Sequence, residues 1–300
     1  MKTTRIYILG RQGQVARALQ EVSEKRTDVV VGFGGRNDFD IADAEAVLGA
    51  LRSFSPDVVV NPAAYTAVDR AEEESAAAFY VNRDGARAVA EASARLEIPT
   101  IHLSTDYVFD GAKPTPYVEN DATAPINVYG ASKLAGEHAV AVANDRHVIL
   151  RTAWVYSPFG QNFVRTMLRL AATRDTLRVV DDQVGCPTSA HDIARAILAI
   201  AGRIDRSGWS TEFGGVTHIA GPDVVTWCDF ARQIMRIAAA RGARSANVEP
   251  ITTRDYPTPA RRPANSRLSC NRLMAVFGVY MPPLEQSLSE CVSRLIIDEV

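Results

Sequence analysis

Five short runs of apolar, largely β-branched residues, most of them followed by a stretch with helical spacing, constrain this chain more than any other feature. They are RIYILG (5–10), DVVVGF (28–33), DVVVN (57–61), TIHLS (100–104) and HVILRT (147–152). A strand with one wet face alternates polar and apolar residues. Continuous runs of this length are instead the form taken by parallel strands buried on both faces. The intervening segments supply the covering helices: Val15, Leu19 and Val22 share one helical face, and so do Val47, Ala50, Leu51 and Phe54. Strand, helix, strand in regular order predicts an α/β fold with a doubly wound parallel sheet, in which ligands bind at the carboxyl ends of the strands. By length, 300 residues suit one large α/β domain or two smaller ones. After about residue 155 the pattern loosens into Pro-rich and Arg-rich stretches such as RDYPTPARRPANSRL, with helical segments near 189–201 and 226–240. The expected division is therefore 1–153 for the sheet domain and 154–300 for a smaller C-terminal lobe, with a segment near 178–221 returning to the first.

Several function classes drop out. Charged residues are 23% of the chain and the net charge is -2, so there is no basic field for a nucleic-acid backbone. The apolar run at the amino terminus is broken by Gly10-Arg11, too soon for a signal peptide, and no apolar stretch is long enough to span a bilayer. Cys186, Cys228, Cys270 and Cys291 form no CxxC pair, the usage expected of reduced thiols in a cytoplasmic protein, and no metal site is predicted. A small-molecule partner is the expectation that survives.

The first strand runs into GRQGQVARAL. Gly10 and Gly13 permit a tight turn and a close approach of backbone to a pyrophosphate, which the following helix amino terminus favours through its free N–H groups. The fingerprint is incomplete, since Ala16 stands where a third glycine could sit, and an ordinary glycine turn is the competing reading. After the second strand no carboxylate follows at once, and Arg36 is nearby. An arginine there suits a ribose 2′-phosphate; a solvated loop arginine suits the sequence equally. In VYGASKLAGE, Tyr129 and Lys133 stand four apart and share a helical face. Alone, such a pair reads more readily as a surface tyrosine packed on a lysine stem. HLSTDYVFDG raises it, because a predicted strand ends there in Ser104 and Thr105 at the ligand-facing edge of the sheet. A phenol is a poor acid–base group near neutrality unless a neighbouring cation stabilises the phenolate, the service Lys133 is expected to provide. The arginines of ARRPANSR, Arg261, Arg262 and Arg267 near Asn265, fit either a diphosphate or the ordering of a loop.

Taken together, GRQGQVA, NPAAYTAVDRAE, STDYVFDG, NVYGASKLAGE, RTAWVY, NFVRTMLRL, DDQVGCPTSAHDIA and YPTPARRPANSRL resemble the dTDP-4-dehydrorhamnose reductases of the extended short-chain dehydrogenase/reductase superfamily, from Arg5 to about Leu268. The resemblance implies a Rossmann domain for NADPH, with NADH also accepted, and a smaller lobe for a dTDP-sugar whose C4 keto group is reduced. It further implies that Gly13, Gln14 and Val15 meet the cofactor pyrophosphate. Asp40 and Ile41 would hold the adenine, and Ala64, Tyr65 and Thr66 would line the cofactor path. Tyr129 would be the proton donor, Lys133 the ribose anchor and phenol tuner, and Thr105, Asp106 and Trp154 sugar contacts. A homodimer and Mg²⁺ at its interface are features of some relatives, although no acidic cluster in the sequence places the metal. Three departures stand out: Ala16 for glycine, Pro62 in NPAA, and an extra GWSTEFGGVTH segment before IAG. Two rivals share the scaffold. A 4,6-dehydratase would carry Asp-Glu after the threonine, where this chain has Asp106-Tyr107, and a regulatory nucleotide-binding subunit would need no acid–base set. A reductase of another nucleotide 4-keto-6-deoxysugar is the nearer alternative.

Overall fold

The structure is a computed structural model and describes residues 3–297. Strands β1 (Thr4–Leu9), β2 (Val29–Gly34), β3 (Val58–Asn61), β4 (Thr100–Thr105), β5 (His147–Thr152) and β6 (Gly215–His218) form one parallel sheet in the order β6-β5-β4-β3-β1-β2. Each of the five apolar runs becomes a strand within one residue of its expected ends. The order reverses after β1, as a doubly wound sheet requires.

The principal helices are α1 (Gln14–Glu24), α2 (Ala44–Phe54), α3 (Ala86–Ala94), α4 (Val128–Ala143), α5 (Phe163–Ala171), α6 (Ala190–Ser207), α7 (Trp227–Ala240) and α8 (Leu284–Ile297). The unbroken hydrophobicity of the strands now has its reason. Ile6, Ile8, Val58, Val60, Ile101, Leu103, Val148 and Leu150 point to one face and join α1 and α6 in a single core. Tyr7, Leu9 and Val59 point to the other, under α2 and α3, and Ile149 meets Ala86, Ala90 and Val140 there. Because successive strand residues alternate faces, a sheet covered on both sides needs apolar residues at every position.

The extra segment near 207–217 contributes the edge of this sheet. Phe213 sits in the α1/α6 core, and the chain then pairs as β6 with β5. Sequence reading sets the segment apart because β6 is four residues, GVTH, with two polar ones. Thr217 and His218 are nonetheless fully buried.

A second core, built from α5, α7 and α8, packs Val164, Met167, Phe230, Ile234, Leu288 and Val292 against a parallel pair of strands, Thr176–Val180 and Asn247–Ile251. Between the two cores lie very short strands: Val184–Gly185 pairs with Val225–Thr226 and with Asn265–Ser266. They bring the second half of the chain to the carboxyl edge of the main sheet.

Candidate active site

The ends of β1, β2, β3 and β4 open into a cleft of about 1050 Å³. Its wall includes Gly10, Gly13, Gln14, Val15, Arg36, Asp40, Ile41, Ala64, Thr66, Thr105, Asp106, Tyr129, Lys133 and Trp154. Motifs scattered over some 145 residues of sequence thus meet in one volume.

The turn after β1 is built for close approach. Gly10 takes φ +108, which a side chain would strain, and leads into α1. Helix α1 has no side-chain cap at Gly13 and no acidic residue in its first turn, so its first N–H groups face the cleft unopposed. Gly13 itself has φ -66, open to any residue, and an added Cβ there would meet nothing within 4 Å. Nothing within the chain requires glycine at that position. A ligand lying against the turn would.

Arg36 is exposed on the rim and makes no hydrogen bond or ion pair with the described residues. Asp38, two residues further on, is engaged by Arg11 at 3.1 Å and by the Gly35 N–H at 2.9 Å. Asp40 accepts from the Ala42 N–H at 3.0 Å and the Tyr80 hydroxyl at 2.7 Å, which hold its carboxyl below the usual range. Tyr65 departs from expectation. Its hydroxyl donates to Glu74 at 2.6 Å and its N–H to Asn82 at 2.8 Å, so the side chain turns away and only Ala64 and Thr66 line the wall.

Tyr129 lies in the first turn of α4. That turn is fixed by Asn127, whose side chain accepts from the Gly130 N–H at 2.7 Å and donates to the Arg261 carbonyl at 2.8 Å. Burial pushes the Tyr129 phenol up to about 12, and the nearby Thr105 hydroxyl works in the opposite sense. The phenol therefore keeps its proton at neutral pH, as a donor must. Lys133 reaches in from the same face, and among the described residues it makes no hydrogen bond to the phenol. Its ammonium donates to the Leu103 carbonyl at 2.6 Å and lies 3.5 Å from His102 Nε2, and burial brings it down to about 8. Beneath, Glu137 binds Arg151 through two hydrogen bonds of 2.9 and 2.6 Å and also accepts from Ser104, tying α4 to β4 and β5.

Trp154 is held between two neighbours. Its indole stacks on Trp227 with centroids 3.5 Å apart and planes 9° apart. An added Cβ at Gly185 would stand 2.4 Å from Trp154 Cε2, an atom of the ring-fusion bond, which places Gly185 over the other face. With both faces occupied, the ring offers the cleft an edge and not a platform. Its backbone holds φ 48, a sparsely populated conformation for a side chain of this size. Trp227, anchored by its Nε1–H to Gln183 at 3.2 Å, lines the cleft from α7, and the sequence analysis did not single it out. Tyr80 and Arg11 were missed as well. For Trp227 and Tyr80 the only available signal was tertiary proximity, whereas Arg11 stands in the GRQG turn itself. In ARRPANSR the loop-ordering reading holds for two arginines: Arg262 pairs with Asp69 at 2.8 Å, and Arg267 donates to Asn265 at 2.8 Å.

Among the described residues, no group of three or more His, Cys, Asp or Glu side chains is placed to hold a metal ion. Nor is any described helix long and apolar enough to cross a membrane.

A tyrosine, a lysine and a threonine gathered at the carboxyl edge of a doubly wound sheet, beside a bare helix amino terminus, define a dehydrogenase/reductase of the extended short-chain class. Comparison with known proteins narrows this. The family model for the RmlD substrate binding domain matches residues 4–297. The dTDP-4-dehydrorhamnose reductase of Sinorhizobium fredii is 51% identical over 294 residues, covering 98% of both chains. A Clostridium acetobutylicum dTDP-4-dehydrorhamnose reductase structure superposes with TM-score 0.89 at 37% identity, covering 98% of this chain and 100% of that one. A Bacillus anthracis dTDP-4-dehydrorhamnose reductase in complex with NADP superposes with TM-score 0.86 at 33% identity, covering 99% and 100%. This chain belongs to the dTDP-4-dehydrorhamnose reductase family.

Proposed function

We propose that this protein reduces the C4 keto group of dTDP-4-dehydro-β-L-rhamnose to give dTDP-β-L-rhamnose, with NADPH as the preferred reductant. The observation that carries the reading is the meeting of a protonated, half-buried phenol, Tyr129, with the uncapped amino terminus of α1 in a single cleft. The space left by Gly13 and the free N–H groups behind it fit a dinucleotide pyrophosphate. Gln14 and Val15 continue that wall, Asp40 and Ile41 would border the adenine, and Ala64 and Thr66 the path toward the nicotinamide. When bound, the cofactor supplies the hydride for the carbonyl carbon. The chain's own residues do the rest. Tyr129 donates its proton to the oxygen that was the carbonyl, Thr105 supports the phenolate left behind, and Lys133 spends a remaining N–H on the cofactor ribose. Asp106 and the edge of Trp154 border the sugar.

The reading assigns the cofactor to residues 1–153 with the segment near 178–221, and the sugar nucleotide mainly to 154–300. It carries with it a cytoplasmic enzyme and a dTDP-sugar partner. A Bacillus anthracis dTDP-glucose 4,6-dehydratase with TM-score 0.78 is only 16% identical and shares the fold alone. Asp106-Tyr107 argues against elimination here. The test is NADPH oxidation by purified protein against a panel of nucleotide 4-keto-6-deoxysugars. The L-configured dTDP-sugar should react fastest, and absence of turnover with every member would remove the reading.

Cofactor preference has its own test. A charge-assisted hydrogen bond contributes about 1.5–3 kcal/mol, roughly a ten- to hundredfold preference. Arg36, without a partner among the described residues, is placed to give one to a 2′-phosphate. Arg36→Ala is expected to raise the Michaelis constant for NADPH by roughly that factor and leave that for NADH nearly unchanged. An equal loss with both cofactors would assign Arg36 to the loop instead.

A further inference from the structure

Thr105 has one hydroxyl proton and two acidic neighbours. Its Oγ1 donates to Asp106 Oδ1 at 3.0 Å and accepts from the Tyr107 N–H at 3.2 Å, and it stands near enough to the Tyr129 phenol to draw that group's pKa down. A single proton cannot serve both sides at once. While Asp106 is a carboxylate it takes the proton from Thr105, and a Tyr129 phenolate would go unsupported. Once Asp106 is a carboxylic acid it donates to Thr105 Oγ1, which is then free to donate to Tyr129. Asp106 is 4% exposed, and its Oδ2 has no hydrogen-bond partner among the described residues. A buried carboxylate left half unpaired is costly, so the site favours the acid form.

We propose that Asp106 is a positioning and proton-supplying residue: in its acid form it turns the Thr105 hydroxyl toward Tyr129 and reloads the phenol through that hydroxyl. The inference rests on Tyr129 being the donor in the reduction proposed above. The protons balance as follows. After the hydride has reached C4, the Tyr129 O–H bond breaks and the sugar C4–O–H bond forms. The phenolate takes the Thr105 hydroxyl proton, and Thr105 takes the Asp106 carboxyl proton. The net change is one proton from Asp106 to the sugar oxygen, leaving a carboxylate that is recharged from water when the product leaves the cleft it lines.

The surroundings agree. Burial raises the Asp106 carboxyl to about 6, with Ser266 and Thr105 pulling the other way. The titratable groups facing it are Tyr107 beside it, Tyr129 from α4, and the Cys186 thiol. Arg262 acts on Tyr107, and no described cation holds Asp106 ionised.

The test is kcat against pH, at saturating NADPH and sugar nucleotide, for wild type, Asp106→Asn, Thr105→Ser and Thr105→Val. Wild-type kcat should fall as pH rises above about 6. An Asn side chain can still orient Thr105 but has no proton to pass on. Asp106→Asn should therefore lower kcat by about 10²-fold, the low end of general-acid effects, and remove the limb. Thr105→Ser should keep the limb, and Thr105→Val should lose it. NADPH binding followed by cofactor fluorescence should be unaltered throughout, showing the fold intact. A limb that persists in Asp106→Asn or Thr105→Val overturns the inference. So does a raised sugar KM in Asp106→Asn with kcat and limb unchanged, which would make Asp106 a sugar contact only. If Asp106→Asn does not fold, Thr105→Val decides. Wild-type turnover in Tyr129→Phe would sink the reading of the site itself, whereas an inactive Tyr129→Phe beside an intact limb in Asp106→Asn sinks the proton supply alone.

Discussion

Tyr129→Phe is expected to lower kcat by roughly 10²–10⁴, the usual contribution of a positioned general acid. The substitution removes one hydroxyl and keeps the ring, which packs edge-on against Tyr107 with centroids 5.6 Å apart. Folding should be undisturbed. Cofactor affinity should change little, because the pyrophosphate turn at Gly10–Val15 lies on other elements. Steady-state kinetics with the dTDP-sugar, together with NADPH titration by fluorescence, check both halves. A variant that keeps its rate would mean that the carbonyl oxygen takes its proton from elsewhere.

The second large effect concerns stability. Arg151 and Glu137 are both nearly excluded from solvent and meet through two hydrogen bonds. Removing one member of such a pair leaves an uncompensated buried charge and costs about 3–5 kcal/mol, whereas replacing both by apolar side chains is often neutral. Arg151→Met should therefore lower stability by about that amount in urea unfolding. Arg151→Met combined with Glu137→Leu should recover much of the loss. Their position gives the pair a second consequence. Glu137 lies one turn beyond Lys133 on α4 and accepts from Ser104, next to Thr105. The single variant should also lose turnover below its unfolding transition, since the registry of α4 on β4 sets the distance between Thr105 and Tyr129. If the double variant regains stability but not rate, the pair serves the site more than the fold.

What could be read from the chain depended on whether the signal was local. The five buried strands announce themselves because burial on both faces demands apolar residues at every position. Tyr129 and Lys133 were legible because helical spacing alone puts them on one face, and Thr105 because a strand end is a fixed address in this architecture. β6 was not, because its four residues owe their burial to what covers them and two of them are polar. Trp227 and Tyr80 reach the cleft from α7 and from the segment after Phe79, and no spacing in the sequence links them to it. Tyr65 was assigned to the wall with its neighbours, but Glu74 and Asn82 turn it the other way. The ammonium of Lys133 donates to the carbonyl of Leu103. Each of these turns on a partner distant in sequence, which motif reading does not supply.

The central claim is that hydride reaches C4 of a dTDP-linked keto sugar. It is tested most directly by turning over dTDP-4-dehydro-β-L-rhamnose with NADPH deuterated at the transferable C4 position and locating the label by NMR. A single deuterium on C4 of the rhamnose ring, in stoichiometric yield with NADP⁺, is the expected result. Label elsewhere on the sugar, or product formed without consumption of NADPH, would contradict it.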